Sequence, residues 1–204
     1  MGNGMNKILD GVYVGNIRDA RATRQHVDNK ITHILSIHDQ AETEHKLPDM
    51  KYCSIAISDT PSEDITRVFE KSNDFIHQSR LDGGNVLIHC LAGVSRSVTV
   101  TVAYIMTISD LSWREALNAV RGSRRCANPN FGFQRQLQTF EYTKLAQEKK
   151  RFKAKFPAKD FNDMEQLKKL LEMHQNWVLY GDEPASDEKT YPLAHNAYKN
   201  TPKD

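Results

Sequence analysis

The 204-residue chain has few cysteines and no excess of charge of either sign. Its three cysteines, Cys53, Cys90 and Cys126, are odd in number and widely spaced, which argues against a disulfide framework and indicates a reducing compartment. The formal net charge is only +2, so the composition does not indicate a nucleic-acid partner.

Long apolar runs are missing as well. No stretch is long enough to span a membrane, and the N-terminus lacks a signal-peptide core, so we expect a cytoplasmic or nuclear protein unless a covalent group anchors it. The sequence contains no HExxH, no paired CxxC and no GxxxxGK[ST]. It therefore predicts neither a metal site nor a cofactor.

The most informative segment runs from His89 to Ser97 and reads His-Cys-Leu-Ala-Gly-Val-Ser-Arg-Ser. An apolar, β-forming run precedes it and a helix-like run follows it. A short loop between a strand and a helix N-terminus directs several backbone N–H groups at one spot, which makes an anion site. In such a site a cysteine is stabilised as the nucleophilic thiolate, and an arginine can bind two oxygens of a tetrahedral oxyanion. Cys90 and Arg96 thus predict a thiolate facing a bound phosphoryl group.

The loop between these two residues is small and uncharged. Its residues let the backbone curl close to an oxyanion, and they are Leu91, Ala92, Gly93, Val94 and Ser95. The alternative is a buried structural cysteine with a surface arginine nearby. A cysteine–histidine protease is not supported, because neighbouring side chains at a strand end point to opposite faces. We expect His89 instead to pack beneath the loop and to hydrogen-bond backbone there.

Periodicity predicts an α/β fold with a central, mainly parallel sheet flanked by helices. The predicted strands are residues 12–14, 31–37, 51–57 and 86–89, the last of them central and covered on both faces. Predicted helices begin at a Thr60–Glu63 capping box and a Ser112–Glu115 capping box, and cover residues 98–108, 133–145 and 162–174, the last opened by an Asn162–Glu165 cap. The loop after the central strand then lies at the sheet edge where such folds bind ligands.

Transfer of a phosphoryl group through cysteine also needs an acid for the leaving oxygen and a base for water. Asp59 is the leading candidate, because it follows a strand and lies on a loop at the same sheet edge; an ordinary turn aspartate is the alternative. We expect Ser97 to donate to the Cys90 sulfur or to cap the helix. Asn130 either braces a neighbouring loop or serves plain turn chemistry.

Two further features are open. Cys53 and Cys126 are expected to be packing residues, or one of them could form a protective disulfide with Cys90. After removal of Met1, Gly2 is a partial match to a myristoylation site, with Asn6 where Ser or Thr is usual; the alternative is a flexible glycine-containing start. A single myristoyl chain would give marginal, reversible membrane binding.

The sequence contains three motifs that belong together: His89-Cys90 with Arg96-Ser97, Ala103-Tyr104-Ile105-Met106, and Asn128-Pro129-Asn130-Phe131-Gly132-Phe133. This set resembles the dual-specificity protein phosphatases, and in particular the small atypical subgroup that includes the Jun-kinase-stimulatory phosphatase. The resemblance implies a protein-tyrosine-phosphatase-like fold, with Cys90 as nucleophile, Arg96 as phosphate ligand and Asp59 as general acid. It also implies a shallow site for phosphotyrosine and phosphoserine/threonine, phosphoprotein substrates in MAP-kinase signalling, and a myristoylated Gly2.

The resemblance covers roughly residues 5–148, and the composition shifts after about residue 148, so we expect the chain to have four parts. Residues 1–6 would be a flexible, myristoylated N-terminus and residues 7–148 the catalytic domain, followed by a helical extension at 149–180 and a disordered tail at 181–204. Lipidation would place the protein at the inner face of the plasma membrane as well as in the cytoplasm and nucleus.

Other functions stay open. A phosphatase for inositol lipids or RNA ends is less favoured, because the loop has no lysine for extra phosphates. A non-catalytic phosphoprotein-binding scaffold is less favoured, because the four residues that the reaction would need are all present: Cys90, Arg96, Asp59 and Ser97. A sulfurtransferase can carry the same cysteine–arginine loop, but it gives no account of Asp59.

Overall fold

The computed structural model describes residues 4–43, 46–48 and 50–181. Five strands form one sheet in the order β1-β2-β5-β3-β4. Only the β1–β2 pair is antiparallel, and the other three pairs are parallel, so the predicted mainly parallel sheet is confirmed. The strands are β1 (Asn6–Leu9), β2 (Val12–Gly15), β3 (Ile31–Ile37), β4 (Lys51–Ile55) and β5 (Asn85–His89).

Helices flank this sheet, together with short 3₁₀ turns at Asp19–Arg21, Ala41–Thr43 and Thr66–Val68. The α-helices are α1 (Thr23–Asp28), α2 (Phe69–Leu81), α3 (Arg96–Ile108), α4 (Trp113–Ser123), α5 (Phe131–Thr143), α6 (Leu145–Lys155) and α7 (Asp163–Tyr180). The sequence did not predict β1 or α1, which are short and carry little apolar periodicity.

Strand β5 is central and buried on both faces, as predicted. Its side chains alternate between the two faces, so Val86 and Ile88 enter the main core while Leu87 enters a smaller cluster with Tyr13 and Ile34. The following helix, α3, is buried from its first residue to Thr107, because it is apolar nearly all round. The loop between them is therefore anchored at both ends in the most buried part of the molecule.

One predicted helix start and one predicted side-chain cap are wrong. Residues 60–63 form an isolated turn, and α2 begins only at Phe69. The Asp64 carboxylate accepts from the backbone and hydroxyl of Thr66, and this local bonding competes with a helix. Asn162 has a left-handed backbone, and its amide donates to the Glu165 carboxylate instead of capping the helix.

The other predicted helices differ in their bounds. The Ser112–Glu115 capping box is confirmed, with both reciprocal bonds present. The helix predicted over 133–145 begins two residues earlier and ends at Thr143, so Leu145 already belongs to α6. Helix α7 continues past His174 to Tyr180. Of the predicted tail, all but Gly181 lies outside the described residues.

Helix α7 packs on α4 and is tied to α2 by a buried ion pair. Arg80, 1% exposed, donates to both carboxylate oxygens of Asp163 at 2.6 and 3.0 Å. It also donates to the Tyr104 hydroxyl, which lies 3.0 Å from Nδ1 of His77. Burial and the Arg80 charge lower the pKa of His77 to about 4, so this imidazole is neutral and can accept from Tyr104.

Candidate active site

The loop from Cys90 to Ser95 connects β5 to α3 and surrounds the Cys90 sulfur. Cys90 is 1% exposed. The backbone N–H of Gly93 donates to Sγ at 3.2 Å, and the Ser97 hydroxyl lies 3.3 Å from it. Both contacts stabilise negative charge on sulfur, which is the form needed for nucleophilic attack.

Gly93 is required at its position for two reasons. Its φ of +68° lies in the left-handed region, which L side chains rarely adopt. A Cβ there would also collide with the carbonyl oxygen of Gly15 at the end of β2. The loop therefore passes close to the neighbouring strand, and this packing sets its curvature.

Arg96 begins α3 and is almost fully buried, at 4% exposure. Its Nη1 donates to the Asp39 carboxylate and to the carbonyl of Ile57, each at 2.9 Å. Its Nε has no hydrogen-bond partner among the described residues; the nearest carboxylate oxygen, from Asp59, is 3.6 Å away. A buried, unused N–H is costly, so this donor is well suited to an incoming oxyanion.

Asp59 lies on the loop after β4, as predicted, and faces the Cys90–Ser95 loop. Its Oδ1 accepts from the Ser95 hydroxyl at 2.7 Å and from the Asn130 amide at 2.8 Å. Its Oδ2 is the oxygen nearest Arg96. One carboxylate oxygen is thus fixed by two donors, and 33% of the Asp59 side chain is exposed to solvent.

Asn130 connects two elements. Its side-chain oxygen caps α5 by accepting from the Phe133 N–H at 2.9 Å, and its amide nitrogen holds Asp59. Its backbone N–H donates to the Ser95 hydroxyl at 3.2 Å. The structure therefore places Ser95, Asp59 and Asn130 in one hydrogen-bonded group at the end of the Cys90–Ser95 loop.

His89 is fully buried next to the loop. Its Nε2 lies 2.7 Å from the hydroxyl of Ser36, a neighbour across the sheet on β3, and its ring packs against His38. This contact is to a side chain of the adjacent strand, and the sequence did not predict it. The reason is that β3 lies beside β5, which no local pattern reveals.

Sequence reasoning missed Arg124 and Asp39. Arg124 is 1% exposed, and its Nε donates to the Gly93 carbonyl at 2.6 Å. The Asn128 N–H donates to the Val94 carbonyl at 2.9 Å. These bonds fix loop carbonyls away from the centre, and the N–H groups can then point inward. No sequence signal marks Arg124, since its role depends on how α4 packs against the loop.

Asp39 follows β3, and its half-exposed carboxylate accepts from the Arg96 guanidinium. A hydrogen bond from Ser58, and then one from Arg96, lower the pKa of its carboxyl group. Asp39 is therefore ionised at neutral pH and holds the guanidinium in one orientation.

The other two cysteines lie outside this group. All three are free thiols, so the structure contains no disulfide among the residues it describes. Burial raises the pKa of Cys53 on β4, which keeps that thiol protonated and unreactive. Cys126 is partly buried.

The arrangement combines a buried sulfur held by two polar contacts, a guanidinium with an unused N–H and a carboxylate at the rim. It can bind a phosphoryl group, attack it and protonate a leaving oxygen. The model of the catalytic domain of dual specificity phosphatases matches residues 12–143.

The chain belongs to the dual specificity phosphatase family. Human dual specificity protein phosphatase 22 is 52% identical over 171 residues, which cover 84% of this chain and 92% of the human protein. The 22-A protein of Danio rerio is 41% identical over 203 residues and 97% of each chain. The crystal structure of DUSP15 superposes with a TM-score of 0.73 at 43% identity, covering 76% of this chain and 99% of that one.

The predicted resemblance to this family and its atypical subgroup is confirmed. A dual specificity phosphatase is a hydrolase, and its substrates are phosphoproteins carrying phosphotyrosine or phosphoserine/threonine. In the described part of the chain, no helix combines the length and apolar character needed to cross a membrane. Those same residues contain no group of three or more His, Cys, Asp or Glu arranged to hold a metal ion.

Proposed function

We propose that Cys90 is the nucleophile of this phosphatase and that the reaction passes through a phosphocysteine. The Cys90 thiolate attacks phosphorus in line with the leaving oxygen; the S–P bond forms as the P–O bond breaks. The observation that supports this most strongly is the sulfur itself, buried at the centre of the loop with the Gly93 N–H and the Ser97 hydroxyl directed at it. Arg96 and the amides of residues 91–95 bind the equatorial oxygens.

Asp59 acts twice in this proposal. As a carboxylic acid it protonates the leaving oxygen of the substrate, and as a carboxylate it then takes a proton from the water that attacks the phosphocysteine. Inorganic phosphate leaves and the Cys90 thiolate is regenerated, with Ser97 donating to it. Asn130 and Ser95 support the acid by fixing Oδ1, and His89 supports the loop from below.

Hydrolysis by variants in EDTA tests this mechanism. Cys90→Ser should abolish turnover of phosphotyrosine and phosphoserine/threonine peptides, while Cys126→Ser, the matched thiol control, should retain it. A loss of about 10²-fold to 10⁴-fold is expected for Asp59→Ala with peptides, and a smaller loss with an activated aryl phosphate, whose leaving group needs no proton. Turnover that survives Cys90→Ser would refute the thiolate mechanism.

The same assays separate the other candidate functions. A phosphoinositide or RNA-end phosphatase would prefer those substrates over phosphopeptides, and a scaffold would bind phosphopeptides without releasing phosphate. The uncharged interior of the loop favours protein substrates, because a polyphosphate ligand would leave its additional charges without cations.

We further propose that the substrates lie in MAP-kinase signalling, as the resemblance to the Jun-kinase-stimulatory subgroup implies, and that residues 7–148 form the catalytic domain and 149–180 its helical extension. Gly2 lies outside the described residues. Its proposed myristoylation would add reversible binding at the inner face of the plasma membrane to a cytoplasmic and nuclear distribution. Mass spectrometry of the N-terminal peptide after eukaryotic expression tests this, and an unmodified or Met-retaining terminus would refute it. A Gly2→Ala variant with the same distribution between membrane and cytoplasm as the wild type would refute it as well.

A further inference from the structure

A groove of about 340 Å³ lies next to the Asp59 loop. It is lined by Pro61, Phe131, Gly132, Arg135, Gln136 and Thr139. Two of its walls continue from residues of the proposed site, since Pro61 is two positions after Asp59 and Phe131 directly follows Asn130. The groove therefore begins within roughly 8 Å of the proposed acid, measured along the backbone at about 3.8 Å per residue.

The walls of the groove are fixed before any substrate binds. At Gly132 a Cβ would collide with the Pro61 carbonyl oxygen, so the two backbones are in direct contact. The Gln136 side chain accepts from the Ile65 N–H at 3.0 Å and donates to the Glu63 carbonyl at 2.8 Å. A preformed site of this kind costs little conformational entropy on binding.

One wall carries a positive charge and an exposed aromatic ring. Phe131 is 71% exposed, and the Arg135 guanidinium lies 5.9 Å from its ring centroid. Within residues 4–43, 46–48 and 50–181, Arg135 makes no ion pair, whereas Arg67 and Arg151 both do. The guanidinium is therefore free to bind a carboxylate through its two parallel N–H groups.

We propose that this groove binds an acidic side chain of the phosphoprotein substrate, within about four residues of the phosphorylated one. The carboxylate of that side chain pairs with Arg135, and the CH₂ groups of the same side chain pack on Phe131 and Pro61. An extended peptide rises about 3.3–3.6 Å per residue, so a neighbouring residue reaches the groove while the phosphoryl group occupies the Cys90 loop. The inference rests on the proposed function of that loop and adds a sequence preference to it.

The test compares phosphotyrosine peptides that carry Glu, Gln or Lys at a single position, moved through the four positions on each side of the phosphotyrosine. With the wild-type protein, Glu should raise kcat/KM about twofold to fivefold at one or two positions, the range expected of an exposed ion pair. Arg135→Ala should remove that preference and Arg135→Glu should reverse it in favour of Lys. High salt should weaken the preference in the wild type.

Arg114→Glu is the matched control. Arg114 is also exposed and lies over an aromatic ring, that of Trp113, but it lies in the first turn of α4, which follows the end of α3 farther from the Cys90–Ser95 loop. It should keep the wild-type preference, and all variants should hydrolyse a small aryl phosphate equally. A Glu preference at no position, or one that Arg135→Glu leaves intact, would overturn the inference while leaving the proposed function in place. Loss of aryl phosphate hydrolysis in Cys90→Ser tests that function separately.

Discussion

At the scale of single residues, hydrogen bonds hold the two charged side chains of the site, Arg96 and Asp59, each in one orientation. Arg96 is held by Asp39 and a backbone carbonyl, so only its Nε side is available to a ligand. Asp59 is held at Oδ1 by the Ser95 hydroxyl and the Asn130 amide, so Oδ2 is the oxygen available for proton transfer. Fixed donors and acceptors of this kind need no reorganisation during the reaction.

Ser95→Ala tests whether Asp59 depends on this support. Removal of one of its two donors should lower kcat for phosphotyrosine peptides by about tenfold, the order of one neutral hydrogen bond of 0.5–1.5 kcal/mol. Hydrolysis of an activated aryl phosphate should change much less, because it does not need the acid. Ser62→Ala, in the exposed turn, is the control. An equal loss with both substrates would show that Ser95 acts on the loop rather than on Asp59.

At the scale of elements, the C-terminal helix α7 is bound to the rest of the fold by specific contacts. Gly122 on α4 lies so close to the Leu170 carbonyl that a Cβ would collide with it. Leu167 is fully buried, and the Arg80–Asp163 pair connects α7 to α2. These contacts join the proposed helical extension to the sheet-and-helix unit that the family model matches.

Asp163→Ala should destabilise the protein strongly. It would leave the buried Arg80 charge without its carboxylate, which costs about 3–5 kcal/mol in the free energy of unfolding. Glu165→Ala removes the partner of Lys169 in a pair whose side chains are both more than half exposed, and it should change the stability far less. Urea unfolding of both variants measures the difference. Equal midpoints would mean that the buried pair contributes nothing.

At the scale of the whole molecule, the local patterns predicted the Cys90–Arg96 loop, and the tertiary packing added the contacts that support it. Cys90, Arg96 and Ser97 lie within one strand–loop–helix segment, so their neighbourhood could be inferred from spacing. Asp39 and Arg124 could not be found in this way, because they reach the loop only through the β5–β3 pairing and the packing of α4. The capping box predicted at 60–63 failed for a different, local reason, since the bonds at Asp64 outweigh its helix signal.

The folded protein should lose stability as the pH falls. The pKa of His77 is about 4 in the folded state, against 6.5 for an ordinary histidine. Above pH 6.5 the His77 imidazole is neutral in both the folded and the unfolded state. Between pH 6.5 and 4 it is protonated only in the unfolded chain, which favours unfolding. The free energy of unfolding should fall by roughly 1 kcal/mol per pH unit from this group, and His77→Gln should flatten that slope. An unchanged slope in the variant would assign the acid sensitivity to other groups.

The covalent intermediate is the most direct test of the account. Wild-type protein and the Asp59→Ala variant would be mixed with an aryl phosphate in EDTA, quenched in acid and analysed by mass spectrometry of the peptide that contains Cys90. We predict the mass gain of one phosphoryl group on Cys90. The labelled fraction should be larger in Asp59→Ala, because the attacking water lacks its base, and Cys90→Ser should carry no label. Phosphate on another residue, or turnover in Cys90→Ser with no labelled peptide, would contradict the account.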